Sequence, residues 1–216
     1  MTDAAARAAG SAGRLLMTAA AAFWLGWLLM PAVGITDAIR ILEGVGAHRS
    51  EVAVSSVLHL VAAAALGLAV PGLARWRPAQ GTRFVSLAAS LLAIGACALA
   101  ADAIFHLVAY EMTATGADPA QMAPVMQRLQ SRDLPFVLPG VLSFFLGAGA
   151  LAGGASQAGL VSRWNPRLHG IALATALAGI LLAPPGSGRA IGLVVLGLVS
   201  ASLAWVGLAL ERAGDA

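Results

Sequence analysis

Apolar stretches of about 20 residues recur along this chain, and each is long enough to cross the hydrocarbon core of a bilayer as a helix. A segment that spans lipid must satisfy its backbone hydrogen bonds internally, which an α-helix does. The pattern predicts an all-α polytopic membrane helix bundle with six transmembrane helices, forming a single integral membrane domain over residues 1–216. The predicted spans are 15–36, 52–74, 83–109, 134–156, 167–184 and 189–211.

The charge pattern supports a membrane protein and argues against a nucleic-acid-binding one. Only 11% of the residues are charged, compared with about a quarter in soluble domains. The net charge of +3 comes from arginines scattered among the short loops, eight on the side of the termini and five on the other. Because arginine accumulates in cytoplasmic loops, we expect both termini in the cytoplasm and no nucleic-acid partner. The single cysteine, Cys97, is expected to be a small buried residue.

A short motif occurs twice, in the turns that follow the second and fourth predicted spans. Residues 75–78 read Arg-Trp-Arg-Pro, and residues 163–166 read Arg-Trp-Asn-Pro. The surrounding apolar segments are similar as well, which indicates a duplicated helical hairpin. The alternative is that two cytoplasmic turns have independently acquired an interfacial Trp and a topology-setting Arg. If the repeat is real, His59 aligns with Ser143, so only one copy carries the histidine.

The six-span layout and the Arg-Trp-x-Pro turns resemble uncharacterised six-helix integral membrane proteins of high-GC, actinobacterial-type bacteria. The alanine-rich, lysine-free composition is similar to theirs too. The resemblance implies a multi-pass protein of the plasma (inner) membrane whose immediate partner is the lipid bilayer. It implies no reaction and no site.

The two longer connections on the outer side are predicted to be helical. Over residues 39–45 and 122–129, apolar residues recur at helical spacing, in each case after a helix-capping aspartate, Asp37 or Asp118. Both segments are predicted to be short amphipathic helices on the outer face. They either cover a site or simply cover the outer ends of the bundle.

An aspartate and two histidines occur in the second and third apolar spans, where each charged group costs about 2.5–3.5 kcal/mol on insertion scales. Asp102 and His106 are one helical turn apart in the third span, so they lie on the same face. His59 lies in the second span, and the predicted topology gives it a similar depth in the outer leaflet. The sequence therefore predicts a His/Asp cluster between adjacent helices.

Two cofactors suit this cluster. Two imidazoles and a carboxylate suit zinc or iron, with His59, Asp102 and His106 as ligands and a position left open for water or substrate. Ser55 and Tyr110, each one turn from a histidine, would then contact the ligand side chains and orient them. Alternatively, His59 and His106 are the two axial ligands of a b-type haem.

Two further interpretations need no cofactor. The three residues could titrate in turn along a proton or solute pathway. Alternatively, the cluster joins two helices in a non-catalytic accessory or scaffold subunit of a larger membrane complex, whose partners are other membrane subunits. The sequence does not decide whether the protein is an enzyme.

Overall fold

The computed structural model describes residues 3–215 except 32, 34 and 183–186, and within this part the side chains of 3–5, 133–136 and 180 are left aside. Every regular element in the described ranges is a helix, so the predicted all-α class is confirmed. The helices are α1 (Asp3–Leu29), α2 (Ala38–Ala47), α3 (Arg49–Arg75), α4 (Thr82–Glu111), α5 (Pro119–Gln157), α6 (Trp164–Leu182) and α7 (Gly188–Asp215).

Five helical segments of the described chain are long and apolar enough to cross a membrane, which makes this a multi-pass membrane protein. They are Ala6–Leu29, Arg49–Arg75, Thr82–Glu111, Val137–Gln157 and Gly188–Asp215. The remaining predicted span, 167–184, corresponds to α6, and its last two residues lie outside the described ones. Arg167 and His169 near the start of α6 lower its mean hydropathy.

The helix boundaries differ from the predicted spans at two places. The first helix covers Asp3–Leu29 instead of 15–36, since it begins well before the apolar core and ends two residues before Pro31. The ring of a proline disfavours helical geometry in the residue before it, which explains this end. The second predicted surface helix is not a separate element, because its residues form the first part of the 39-residue α5.

Both predicted aspartate caps are present. The Asp37 carboxylate accepts a hydrogen bond from the backbone N–H of Arg40 at 2.9 Å, at the start of α2. The Asp118 carboxylate accepts one from Ala120, and Pro119 takes the first helical position of α5. Each carboxylate thus satisfies a backbone donor that has no partner inside its own helix.

Neighbouring helices run antiparallel and bring the two ends of the described chain together. α1 lies against α3 and α7, α4 lies against α3 and α5, and α6 lies against α7. Gly10 near the start of α1 lies beside Gly214 near the end of α7. At the other end of α1, the carbonyl of Leu28 accepts a hydrogen bond from Arg189 at the start of α7. We call the end of the bundle that holds Gly10 and Gly214 the terminal end.

The opposite end, where α1 and α4 finish and α3 begins, is the cluster end. It has its own small apolar core beneath α2, separate from the main core of the bundle. Leu42 and Val45 of α2 are buried there against Val52 of α3 and Met126 of α5. α2 therefore covers the cluster end of the bundle.

The two Arg-Trp-x-Pro turns differ in local structure. Trp76 is buried and caps the end of α3, and α4 begins only at Thr82. Trp164 is 62% exposed, begins α6 and carries the guanidinium of Arg167 over its ring. Cys97 is also exposed, on the outside of α4, so the expectation of a buried thiol was wrong.

Candidate functional site

His59, Asp102 and His106 meet at the cluster end of the bundle. One potential ligand atom from each residue lies within 4.8 Å of the corresponding atoms of the other two. α3 supplies His59 and the last third of α4 supplies the pair, so the antiparallel α3–α4 hairpin brings distant positions to one depth. His59 is fully buried and His106 is 7% exposed.

His59 is fixed by the backbone of its own helix. Its Nδ1 lies 2.8 Å from the carbonyl oxygen of Ser55, and because a carbonyl only accepts hydrogen bonds, Nδ1 carries the proton. The lone pair of the neutral ring is then on Nε2. The Ser55 hydroxyl in turn donates to the carbonyl of Gly26 at 2.8 Å, which ties this turn of α3 to α1. This is the usual arrangement of a metal-binding histidine, whose far nitrogen donates to a carbonyl.

Asp102 and His106 face each other along α4. Their Oδ2 and Nε2 atoms are 3.7 Å apart, too far for a good hydrogen bond. The His106 ring meets the His59 ring edge to face, with centroids 5.2 Å apart. Trp27 of α1 packs edge to face against both imidazoles, at 5.0 Å from His59 and 5.6 Å from His106.

The cluster holds several polar atoms that find no hydrogen-bond partner within the described part of the chain. They are Nε2 of His59, Oδ2 of Asp102, Nδ1 of His106 and Nε1 of Trp27. Buried polar groups are nearly always hydrogen-bonded, because leaving one unpaired costs about 1–3 kcal/mol. The cluster therefore holds four buried polar atoms whose bonding capacity is not used by the described residues.

A cavity of about 230 Å³ adjoins the cluster. Asp102, His106 and Trp27 line one part of it, and Ile41 and Val45 of α2 line another. The rest of its wall is apolar apart from one amide, and consists of Met30, Val33, Ile35, Val52, Phe105, Ala109 and Gln130. The arrangement therefore combines metal-ligating groups with adjacent space for a small molecule.

The two predicted supporting residues differ in what they contact. Ser55 lies against His59, with 3.4 Å between its hydroxyl and Nδ1. Tyr110 instead carries the Arg49 guanidinium over its ring at 3.8 Å, and its carbonyl accepts a hydrogen bond from the same group. A supporting role for Tyr110 stays a prediction.

Sequence reasoning did not identify two residues of the site, Trp27 and Gly26. A Cβ atom on Gly26 would lie 2.7 Å from Cε1 of His59, so glycine leaves the space that the imidazole occupies. Both residues belong to α1, whose apolar sequence at this point gives no sign that it faces a polar cluster. The positions could be found only from the packing of α1 on α3.

Comparisons with known proteins add no assignment. No protein-family model matches the chain, and neither the curated proteins nor the solved structures contain a significant match to it.

Proposed function

We propose that this protein is a membrane protein with an outer-leaflet transition-metal site, zinc or iron, whose ligands are His59, Asp102 and His106. The observation that carries the proposal is the meeting of three ligand atoms, within 4.8 Å of one another, in an otherwise apolar bundle. A zinc ion with bonds of about 2.0–2.1 Å holds its ligand atoms about 3.3 Å apart. Metal binding would therefore draw these ligand atoms closer together than the 4.8 Å within which they now lie.

Charge supports a metal ion as the missing component. A carboxylate within an apolar bundle needs a compensating positive charge, and the ion-pair partner that the described residues offer Asp102 is the imidazole of His106, at 3.7 Å. A divalent ion bound by Asp102 and two neutral imidazoles would compensate that charge. It would also satisfy the unpaired ring nitrogen of His59 and leave one or two coordination positions open.

The geometry favours a metal ion over the b-type haem. Axial ligation by two histidines places the porphyrin plane between the imidazole rings. Here the rings of His59 and His106 touch edge to face, with centroids 5.2 Å apart. No space for a macrocycle separates them.

The test is metal analysis combined with a visible absorption spectrum of the protein purified in lipid nanodiscs. We expect a stoichiometric amount of zinc or iron in the wild type, without the Soret band of a haem. His59→Ala and Asp102→Ala should each lose the metal. His169→Ala is the matched control, since both ring nitrogens of His169 are also buried without a partner among the described residues, but the residue lies beside Gly149, away from the cluster.

Two results would overturn the metal site. One is a wild-type protein that binds neither zinc nor iron when either is supplied during reconstitution. The other is metal content that survives loss of the cluster residues. A Soret band that disappears in His59→Ala would establish the haem alternative. A metal-free protein that co-purifies with a stoichiometric membrane subunit would establish the accessory alternative.

We also propose that the chain crosses the plasma membrane six times, with both termini in the cytoplasm. α6 runs antiparallel to α7, since Asn165 bonds to Ser202 near one end and Gly179 lies beside Ile191 near the other. Its 19 residues extend about 28 Å, enough to cross the hydrocarbon core. The terminal end carries eight arginines and the cluster end five, which favours the terminal end as the cytoplasmic one.

Cysteine labelling tests this topology. In a Cys97→Ser background, single cysteines are placed at Thr115, Ser162 and Gly188 and exposed to a membrane-impermeant maleimide. We expect Thr115→Cys and Gly188→Cys to react in intact cells, and Ser162→Cys only after lysis. Reaction of Gly188→Cys only after lysis would show that α6 does not cross.

A further inference from the structure

The cavity beside the cluster suggests what the metal site binds, an inference that rests on the proposed function. Its volume is about 230 Å³. An apolar cavity of about 150 Å³ holds one benzene molecule, so this one has room for a ring or a short chain with a small polar group. Its wall is largely apolar and includes the aromatic residues Trp27 and Phe105. Such a wall favours an apolar body for the ligand.

Charge determines the polar group of that ligand. A divalent ion held by Asp102 and two neutral imidazoles leaves one positive charge in a region of low dielectric constant. A buried uncompensated charge is costly, so an anion is favoured at the open coordination position. The cavity adjoins the cluster at Asp102 and His106, so an anionic group placed there extends its apolar body beneath α2.

We propose that the site takes a small monocarboxylate with an apolar body, its carboxylate on the metal and its body in the cavity between α2 and α4. Trp27 adds a second contact. Its indole N–H is buried and finds no acceptor among the described residues, and Trp27 is one of the residues that line the cavity. One carboxylate oxygen on the metal leaves the other to accept a hydrogen bond from this group.

The experiment uses the full chain in nanodiscs, loaded with Co(II), whose visible bands report on its coordination. Benzoate is the probe, because it is a benzene ring with one carboxylate, and benzamide is the neutral molecule of the same size. We expect benzoate to shift the Co(II) bands saturably and benzamide to leave them unchanged. Trp27→Phe removes the indole N–H but keeps an aromatic ring, so the benzoate affinity of the Co(II)-loaded variant should be lower than that of the Co(II)-loaded wild type.

Variants that fill the cavity test the carboxylate ligand separately from the metal site. Ala109→Phe and Val45→Phe place a ring in the cavity from α4 and from α2, and either variant that retains the Co(II) spectrum is folded with its metal. In these variants the benzoate-dependent shift should disappear. Val108→Phe is the matched control, since Val108 is the neighbour of Ala109 on α4 but is 38% exposed and not part of the cavity wall.

The outcomes are distinguishable. Failure of the wild type to bind Co(II) would overturn the proposed metal site and this inference with it. Co(II) binding without a benzoate response would overturn only the carboxylate ligand. An equal response to benzamide would also overturn only the carboxylate ligand. So would a benzoate response that persists in both cavity-filled variants.

Discussion

The two ends of the bundle are held together in different ways. At the terminal end, helices approach so closely that backbones touch, since a Cβ on Gly207 of α7 would lie 2.7 Å from the carbonyl oxygen of Gly13. A Cβ on Gly72 of α3 would be equally close to the carbonyl oxygen of Ala8. At the cluster end, the glycine that faces α3 is Gly26, and what fills its space is the imidazole of His59.

The difference shows that a glycine at a helix contact serves two purposes in this bundle. Small residues at helix contacts in membranes allow close van der Waals packing, and this is what stabilises the terminal end. The same absence of a side chain at Gly26 makes room for a polar group. Removing a glycine should therefore cost stability at one end and ligand binding at the other.

The largest effect is expected at the terminal end. Gly207→Leu would force its side chain against the backbone of Gly13 and of Met17, which cannot move without separating α1 from α7. We expect a loss of about 3 kcal/mol or more in the free energy of unfolding. Denaturant-induced unfolding in mixed micelles measures it. Gly170→Ala is the control, because a Cβ there meets no described atom within 4 Å; equal stability of both variants would contradict this account.

Metal should stabilise the protein through the cluster end alone. At a free zinc concentration about 100 times the dissociation constant, binding adds about 2.7 kcal/mol. The thermal midpoint of the wild type should therefore rise with zinc, and that of Asp102→Asn should not. His48→Ala, which removes an exposed histidine outside the cluster, should respond as the wild type does. If zinc still raised the thermal midpoint of Asp102→Asn, its stabilising effect would not come from binding to the proposed ligands.

Gly26→Ala should lower metal affinity more than stability, the opposite of what we expect for Gly207→Leu. The new methyl group meets a side chain that can turn aside, so we expect a stability loss of only about 1 kcal/mol. Turning His59 aside disturbs its bond to the Ser55 carbonyl, and metal affinity should fall about ten-fold or more. Metal-binding titration measures this. Gly44→Ala in α2, with no described atom near its Cβ, should bind metal normally. Unchanged affinity in Gly26→Ala would show that this glycine has no part in positioning the ligand.

The smallest effect is expected for Ser55→Ala. The variant loses the hydrogen bond to the carbonyl of Gly26, which is worth about 0.6 kcal/mol on average within a membrane. It keeps the Ser55 carbonyl that fixes His59, so metal affinity should change little. Ser143→Ala is the control for unfolding, because in the described part of the chain that hydroxyl bonds within its own helix, to the carbonyl of Pro139. A large loss of metal affinity in Ser55→Ala would show that the hydroxyl itself supports His59.

The sequence was sufficient for the helical class and for the meeting of the three titratable residues. Uninterrupted apolar runs have few alternatives in lipid, and helical spacing places Asp102 and His106 on one face. A tight hairpin between α3 and α4 then brings His59 to their depth. These steps use only local geometry and the thickness of a bilayer.

Features that depend on packing between distant helices could not be predicted. One example is the continuation of α5 through Ser131 and Arg132. Polar residues at these positions resemble a break between a surface helix and a membrane span, so the spacing of apolar residues does not predict one continuous helix. Likewise, the contacts of Trp27 with both histidines depend on how α1 rotates against α3. The residues before and after Trp27 in the sequence are mostly apolar, so no alternation of polar and apolar residues shows which face of α1 turns inward.

The pairing of α1 with α7 has a consequence for the order of assembly. Both helices are inserted during synthesis, but α7 emerges only after α2 to α6 have been made. α1 can pack on α3 early, through the approach of Ala8 to Gly72, while the surface around Gly13 still faces lipid. Among the described helices, closing the α1–α7 contact is then the latest step, and it joins the last of them to be made to the first. A defect at Gly13 or Gly207 should therefore leave α7 held by α6 but separated from α1, a form that membrane quality-control proteases can recognise.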